Sequence, residues 1–240
     1  MRKFVISLSM FFLSALLCIY AFSYMDFFRV RALGTDCFSS TVASIEHFVK
    51  IAEDSNFFSS RFQSLRGNLE SLAYVDEVSI SSSGFLSFDV SISYEKGLVL
   101  SDGRRFYFFS EEGIGEIEDK DVHPLLSRYI LFMMTEEMLS YVLSFPESGE
   151  LDQILALLMD IQGQNGYNEN LIGRVGYSLP SGSGFGVLTL YGKEKDFILF
   201  ITGETDSSFL SSCLEKIDGM DFLDHEVFEI RNDTFFRRLG

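Results

Sequence analysis

The side chains best suited to proton transfer or metal ligation at neutral pH in this 240-residue chain are three histidines, His47, His123 and His225. None has a second histidine at a ligand spacing. Asp221 and His225 stand four apart, but Gly219 and the strand-like run that follows argue against one shared helical face. Glu111, Glu112, Glu116, Glu118, Asp119 and Asp121 could attract calcium, yet they lack the alternating ligand positions of a calcium loop and read as a solvated acidic stretch. The segment Gly182-Ser183-Gly184-Phe185-Gly186 has the glycine content of a phosphate cradle without the Lys-Ser/Thr pair or the strand-before-helix setting, so it reads as a hairpin tip. No GxSxG elbow, HExxH helix, CxxC pair or Cys/His zinc spacing occurs. Asn232-Asp233-Thr234 is formally a glycosylation sequon, meaningful only in a eukaryotic secretory pathway. These residues nominate no catalytic site, cofactor, metal or small-molecule substrate.

Chemistry of another kind starts at the N-terminus. Arg2 and Lys3 precede residues 4–25, which carry no charged side chain, and Asp26, Arg29 and Arg31 close the run. At helical rise it would span roughly 33 Å, enough to cross a hydrocarbon core of about 30 Å. The run, with Phe4, Phe11, Leu16 and Tyr24 along it, predicts a transmembrane signal anchor over residues 1–25. The protein would then be a single-pass protein of the cytoplasmic membrane, its N-terminus inside and its domains in the periplasm or outside. A cleaved signal peptide competes, since Ala21 and Ser23 place small residues at −3 and −1 of a cut before Tyr24. Such peptides have shorter apolar cores, of about 7–15 residues. Cys18 follows the bulky Leu17 and makes a poor lipoprotein site.

Bulk charge narrows the partners. The formal net charge is −16, or −18 once Arg2 and Lys3 are set aside, which argues against nucleic acid because phosphate binding needs a positive face. It also argues against a domain lying flat on anionic lipid. Phe is abundant (26) and Trp absent, and much of the Phe falls in alternating strand-like runs. Cys37 and Cys213 could pair in an oxidising compartment or remain two thiols, and their distant spacing leaves both open.

Periodicity divides the remainder near residue 97 into residues 26–97 and 98–240. In the first part a strand is expected over 27–32, helices over 41–52 and 57–74, and strands over 75–80 and 85–94, with Ser81–Gly84 as the turn and Gly84 able to take positive φ. Leu86, Phe88, Val90, Ile92 and Tyr94 share the face expected to pack inward. In the second part strands are expected over 98–100 and 105–109 and a helix-poor connection at His123–Leu126. Helices follow over 136–143 and 151–161, then a hairpin from 172–179 and 185–191. A strand over 197–202, a helix over 207–217 and two strands, 226–231 and 234–239, complete the order. The fold class is α+β: a transmembrane helix, a β-α-α-β-β domain, and a C-terminal mixed β-sheet domain with two or three helices.

That order resembles the bacterial cell-division family FtsQ/DivIB. Phe28-Arg29-Val30-Arg31-Ala32-Leu33-Gly34 looks like the family's opening strand, and Leu72–Ile80 is similar to its L-x-x-V-x-x-A-x-V segment. Phe85–Tyr94 matches the strand that completes a POTRA domain. Phe106–Gly113 resembles a strand ending in an acidic residue and Gly, Val122–Leu126 a Leu-Pro-x-Leu-like turn, and Phe228–Asp233 the late Asp-Leu-Arg-Tyr-Asp strand. Two features depart from the pattern: Tyr94–Leu98 lacks the Pro of the Glu-x-x-Pro-x-Ala motif, and only three residues precede the apolar run.

The resemblance implies a non-enzymatic scaffold of the divisome that binds FtsB and FtsL, with a partner strand adding to the last strand of the β domain. Thr234, Phe235, Phe236, Arg237, Arg238 and Leu239 fit that role, because sheet-edge main chain supplies affinity and alternate side chains select the partner. Arg237 and Arg238 are suited to acidic partner residues, or equally to guarding an edge against aggregation. The 85–94 strand is a second candidate surface. The competing reading is a POTRA-bearing envelope protein of polypeptide secretion or outer-membrane assembly.

Overall fold

The computed structural model describes residues 10–18, 20, 28–53, 55–144, 150–163, 170–179, 186–221 and 225–238. It divides into two compact units, Met1–Tyr94 and Glu95–Gly240.

The expected transmembrane helix is not found among the described residues. Residues 10–18 and 20 are helical, but among the described residues no helix is long and apolar enough to cross a membrane. Phe11 and Leu16, two of the four anchor positions, are 67% and 63% exposed in this helical stretch; Phe4 and Tyr24 lie outside the described residues. An apolar run of sufficient length is a necessary condition for a span, and the described helix does not extend over that length.

The first unit contains β1 (Ala32–Gly34), a 3-10 turn (Ser39–Thr41), α1 (Ala43–Glu53), α2 (Ser60–Gln63), α3 (Leu65–Glu70), β2 (Val75–Gly84) and β3 (Ser87–Tyr94). The sheet order is β1-β3-β2, with β1 parallel and β2 antiparallel to β3. Ile45, Val49 and Ala52 of α1 and Phe62, Leu65 and Leu69 of α2 and α3 are buried, as are Val78, Val90 and Ile92 of the sheet.

Three local expectations change here. The single helix expected over 57–74 begins at Ser60, because Asn56 Oδ1 accepts from Phe58 N at 2.9 Å and holds a turn, and it breaks at Ser64. The opening strand starts at Ala32 instead of residue 27, and Arg29 makes only an isolated bridge with Asn56. The β2–β3 turn is Phe85–Leu86, with Leu86 at φ 55, while Gly84 remains in the strand. Extending the ladder outward from Ile80↔Val90 gains main-chain pairing and outweighs the local turn preference of the serines.

The second unit contains β4 (Gly97–Ser101), β5 (Phe106–Ser110), β6 (Gly113–Glu116), α4 (Asp119–Leu125), β7 (Leu131–Met133), α5 (Glu136–Ser144) and α6 (Glu150–Gln162). It continues through β8 (Ile172–Ser178), β9 (Val187–Gly192), β10 (Phe197–Thr202), α7 (Ser207–Asp218), β11 (Glu226–Arg231) and β12 (Thr234–Arg238). All nine strands join one sheet in the order β12-β11-β10-β9-β8-β7-β4-β5-β6. The pairs β4·β7, β7·β8 and β10·β11 are parallel, which requires crossovers; α5 and α6 span the second and α7 the third. Apolar stripes on α5, α6 and α7 share one core with Leu98, Phe132, Val175, Leu190, Leu199 and Phe228. Val99 and Phe108 face the other way, where the Tyr129 ring meets Phe108 edge-on at 5.0 Å.

Two expectations are corrected. The acidic stretch after residue 111 is not a loop, since it carries β6 and α4. Asp119 and Asp121 sit in the first turn of α4, where the helix dipole favours them, and Pro124 is accommodated inside the helix. The described C-terminal helices therefore number four (α4–α7), one more than the upper expectation. Gly97 opens β4: a Cβ there would lie 2.3 Å from Phe109 O and 2.6 Å from the Phe108 ring, so only glycine permits this approach to β5.

Candidate partner-binding edge

The edge strand β12 is held to β11 by a two-residue loop, Asn232-Asp233, with φ 48 and 54. Two consecutive left-handed residues define the hairpin turn whose twist matches the flanking strands, and Asn and Asp tolerate it better than most side chains. Such a loop closes on a hydrogen-bonded pair, here Arg231↔Thr234. By antiparallel alternation, Phe236 and Arg238 also bond inward to Glu229 and Val227. Phe235 and Arg237 then aim their N–H and C=O groups away from β11, at the free margin of the sheet.

Side chains alternate with the same period. Phe235 turns toward the helix-covered core and stacks on the fully buried Phe228, ring centroids 5.4 Å apart at 13°. Phe236 points the opposite way and is 47% exposed.

Each arginine already has an acidic partner on β11. Arg237 reaches Glu226 through Nε–Oε2 at 2.8 Å and Nη2–Oε1 at 2.5 Å. Arg238 donates to Glu229 Oε2 from Nε and Nη2 at 3.0 and 2.7 Å, and Arg231 donates to Glu229 Oε1 at 2.9 Å. The Arg238 guanidinium also lies 5.5 Å from the Phe200 ring centroid. Arg237 hydrogen bonding holds the Glu226 carboxyl below the usual carboxylate range; the Arg238 hydrogen bond, helped by Arg231, does the same for Glu229. The Arg237 pKa is raised in return by its hydrogen bond to Glu226. The positive charges conspicuous in the sequence are therefore committed within the hairpin, and the edge presents main-chain groups and the Phe236 ring.

Thus the structure brings Thr234, Phe235, Phe236, Arg237 and Arg238 together on one edge, and Leu239 lies outside the described residues. Sequence reasoning missed Glu226 and Glu229. Counting outward from Asn232-Asp233 would have found them, because it sets Glu226 diagonal to Arg237 and Glu229 diagonal to Arg238.

The histidines remain dispersed. His225 Nδ1 lies 2.5 Å from Asp196 Oδ2 at an exposed strand end, His47 packs beside Phe48 on α1, and His123 lies in α4. Among the described residues no group of three or more His, Cys, Asp or Glu could hold a metal ion. Cys18, Cys37 and Cys213 are free thiols, the last buried. The glycine-rich segment 182–185 lies outside the described residues. One cavity of about 340 Å³ lies among Ile154, Tyr177, Leu188 and Thr205, and another of about 380 Å³ among Phe109, Glu112, Asp152 and Met159. Glu204 lines the first together with Thr205, and Ser110, Glu111 and Asp160 also line the second. No protein-family model matches the chain, and no curated protein matches it.

Proposed function

We propose that this protein is a non-enzymatic scaffold of a bacterial division complex that holds an extended segment of a partner, of FtsB or FtsL type, against β12. The observation that carries the reading is the free edge of β12, where the alternation leaves Phe235 and Arg237 with outward N–H and C=O groups. Main-chain bonding there needs no cofactor or substrate. The arginines paired to Glu226 and Glu229 place charge along the edge, a feature that guards exposed strands against indiscriminate pairing.

The test compares Arg237→Pro with Arg237→Ala in the full chain, against the extracytoplasmic segments of FtsB and FtsL from the same genome. Both variants lose the ion pair with Glu226, but only proline removes the outward N–H. Arg237→Ala should bind nearly as the parent does, and Arg237→Pro about tenfold more weakly, with unchanged circular dichroism. Equal binding by both variants would exclude strand addition at this edge.

A second reading, a POTRA-bearing envelope protein that receives client polypeptides, is favoured by β2. That strand is ten residues long and lies at the edge of its own sheet. Failure of either division segment to bind the parent chain would favour this reading.

A further inference from the structure

The sheet of the second unit has two margins, and the one opposite β12 is also free. β6 (Gly113–Glu116) ends the strand order, and among the described residues no strand pairs with its outer side. Ile117 N donates to Phe106 O at 2.9 Å, which makes Phe106↔Ile117 a hydrogen-bonded pair. By antiparallel alternation Gly115 and Gly113 also bond inward, to Phe108 and Ser110. Ile114 and Glu116 are left with N–H and C=O groups aimed outward. Their side chains share the helix-covered face with Tyr107 and Phe109, and the other face of β6 carries only glycines.

Beside this margin lies the cavity of about 380 Å³ between the β5–β6 turn and α6. Half-buried Phe109, Ile114 and Met159 form its apolar floor. Glu111, Glu112, Asp152 and Asp160 line it too, and Ser110 Oγ accepts from Glu112 N at 3.2 Å, which fixes the turn. Asp152, Ala156 and Asp160 recur at four-residue intervals, one line about 12 Å long down α6. The sign of the charge is uniform in both segments. Residues 106–119 carry Glu111, Glu112, Glu116, Glu118 and Asp119 and no Lys or Arg; residues 150–163 carry Glu150, Asp152 and Asp160 and again no Lys or Arg. Lys120, the next base along the chain, is paired with Glu118 at 2.8 Å. Arg105 precedes the far end of β5, roughly 17 Å from Ser110 by strand rise. Unlike Glu226 and Glu229, none of the four lining carboxylates is paired with an arginine or lysine among the described residues.

Two observations select what fits. Outward main-chain groups call for an extended polypeptide, and an apolar groove walled by carboxylates calls for side chains with aliphatic stems and cationic ends. The carboxylates do not converge on one ion, since among the described residues no group of three or more His, Cys, Asp or Glu could hold a metal. The geometry points to β6 as a second docking edge, one that takes a lysine- or arginine-rich extended segment of a partner. The main chain of that segment pairs with Ile114 and Glu116, and its alternate basic side chains enter the groove beside α6. Their stems cover Phe109 and Met159 while the charged ends meet Asp152 and Asp160.

The probe is a short fluorescein-labelled peptide of alternating Lys and Val, mixed with the full chain and read by anisotropy; the control peptide has Glu for Lys. The Lys peptide should bind and the Glu peptide should not. Asp152→Asn/Asp160→Asn should weaken binding about tenfold. Glu116→Pro should weaken it about tenfold more than Glu116→Gln, which removes the same charge but keeps the outward N–H. Circular dichroism should be unchanged in each variant. Arg237→Pro alters the opposite margin and should leave this binding intact, which separates the outcome from that of the FtsB and FtsL experiment. No binding of the Lys peptide, or equal binding by Glu116→Pro and Glu116→Gln, overturns strand addition at β6. Binding undiminished by Asp152→Asn/Asp160→Asn overturns the groove as the seat of the basic side chains. Loss of binding with Arg237→Pro moves the peptide to β12 and overturns the proposal as well.

Discussion

The register of the β11–β12 hairpin can be tested by truncating two adjacent phenylalanines. Phe235 packs against the core of the C-terminal unit and stacks on Phe228, whereas Phe236 is 47% exposed on the opposite face. Truncating a fully buried Phe to Ala costs about 3–5 kcal/mol. Phe235 is only partly buried, so about half of that applies, roughly 2 kcal/mol, with about 0.5–1.5 kcal/mol of it from the ring stack. Phe236→Ala should cost less than about 0.5 kcal/mol, as surface substitutions do. Urea unfolding followed by far-ultraviolet circular dichroism reads the difference. With a slope of about 2 kcal/mol per molar urea, Phe235→Ala should lower the midpoint of the C-terminal unit by about 1 M and Phe236→Ala hardly at all. A one-residue slip in register would exchange the two faces. Equal shifts, or a larger one for Phe236→Ala, would refute both the register and the assignment of outward main-chain groups to Phe235 and Arg237.

Three further outcomes are expected. Because the Glu226 and Glu229 carboxyls lie below their ordinary value of 4.5 in the folded chain, their stabilising contribution is complete above that value and fades as pH falls through the lowered one. A Glu226→Gln/Glu229→Gln chain should therefore lose less melting temperature than the parent on going from about pH 5.5 to about pH 3. Phe132 is fully buried in the three-residue strand β7, inside the nine-stranded sheet, and Phe132→Ala should destabilise the C-terminal unit by about 3–5 kcal/mol in the same urea assay. Asp233 holds φ 54 at the second position of the hairpin loop, so Asp233→Gly should raise stability by about 0.5–1 kcal/mol, seen as a higher melting temperature.

Long, strongly periodic segments were readable in advance. The apolar stripes on α6 and α7 and the alternation along β3 announce their buried faces because a helix repeats every 3.6 residues and a strand every two. The terminal hairpin was equally legible, since Asn-Asp between two apolar-alternating runs marks a two-residue turn. Short elements were not. Leu131–Met133 carries too few residues to show a period, and it becomes a strand only because β4 and β8 supply ladders on both sides. The same holds for α4, whose Pro124 argued against a helix until Val122 and Leu125 found a surface to cover.

What the residues decided alone, then, was class and candidate edge: α+β, and a last described strand whose side chains alternate. The tertiary structure decided the rest by pairing. It placed β12 on the outside of a nine-stranded sheet, which no local pattern encodes because strand order depends on partners far apart in the chain. It joined Arg237 to Glu226 and Arg238 to Glu229, turning apparent free charges into internal ones. Among the described residues no helix is long and apolar enough to cross a membrane, against the expectation drawn from the run of apolar residues. Composition states which side chains are available, but only the folded chain determines which of them are already occupied.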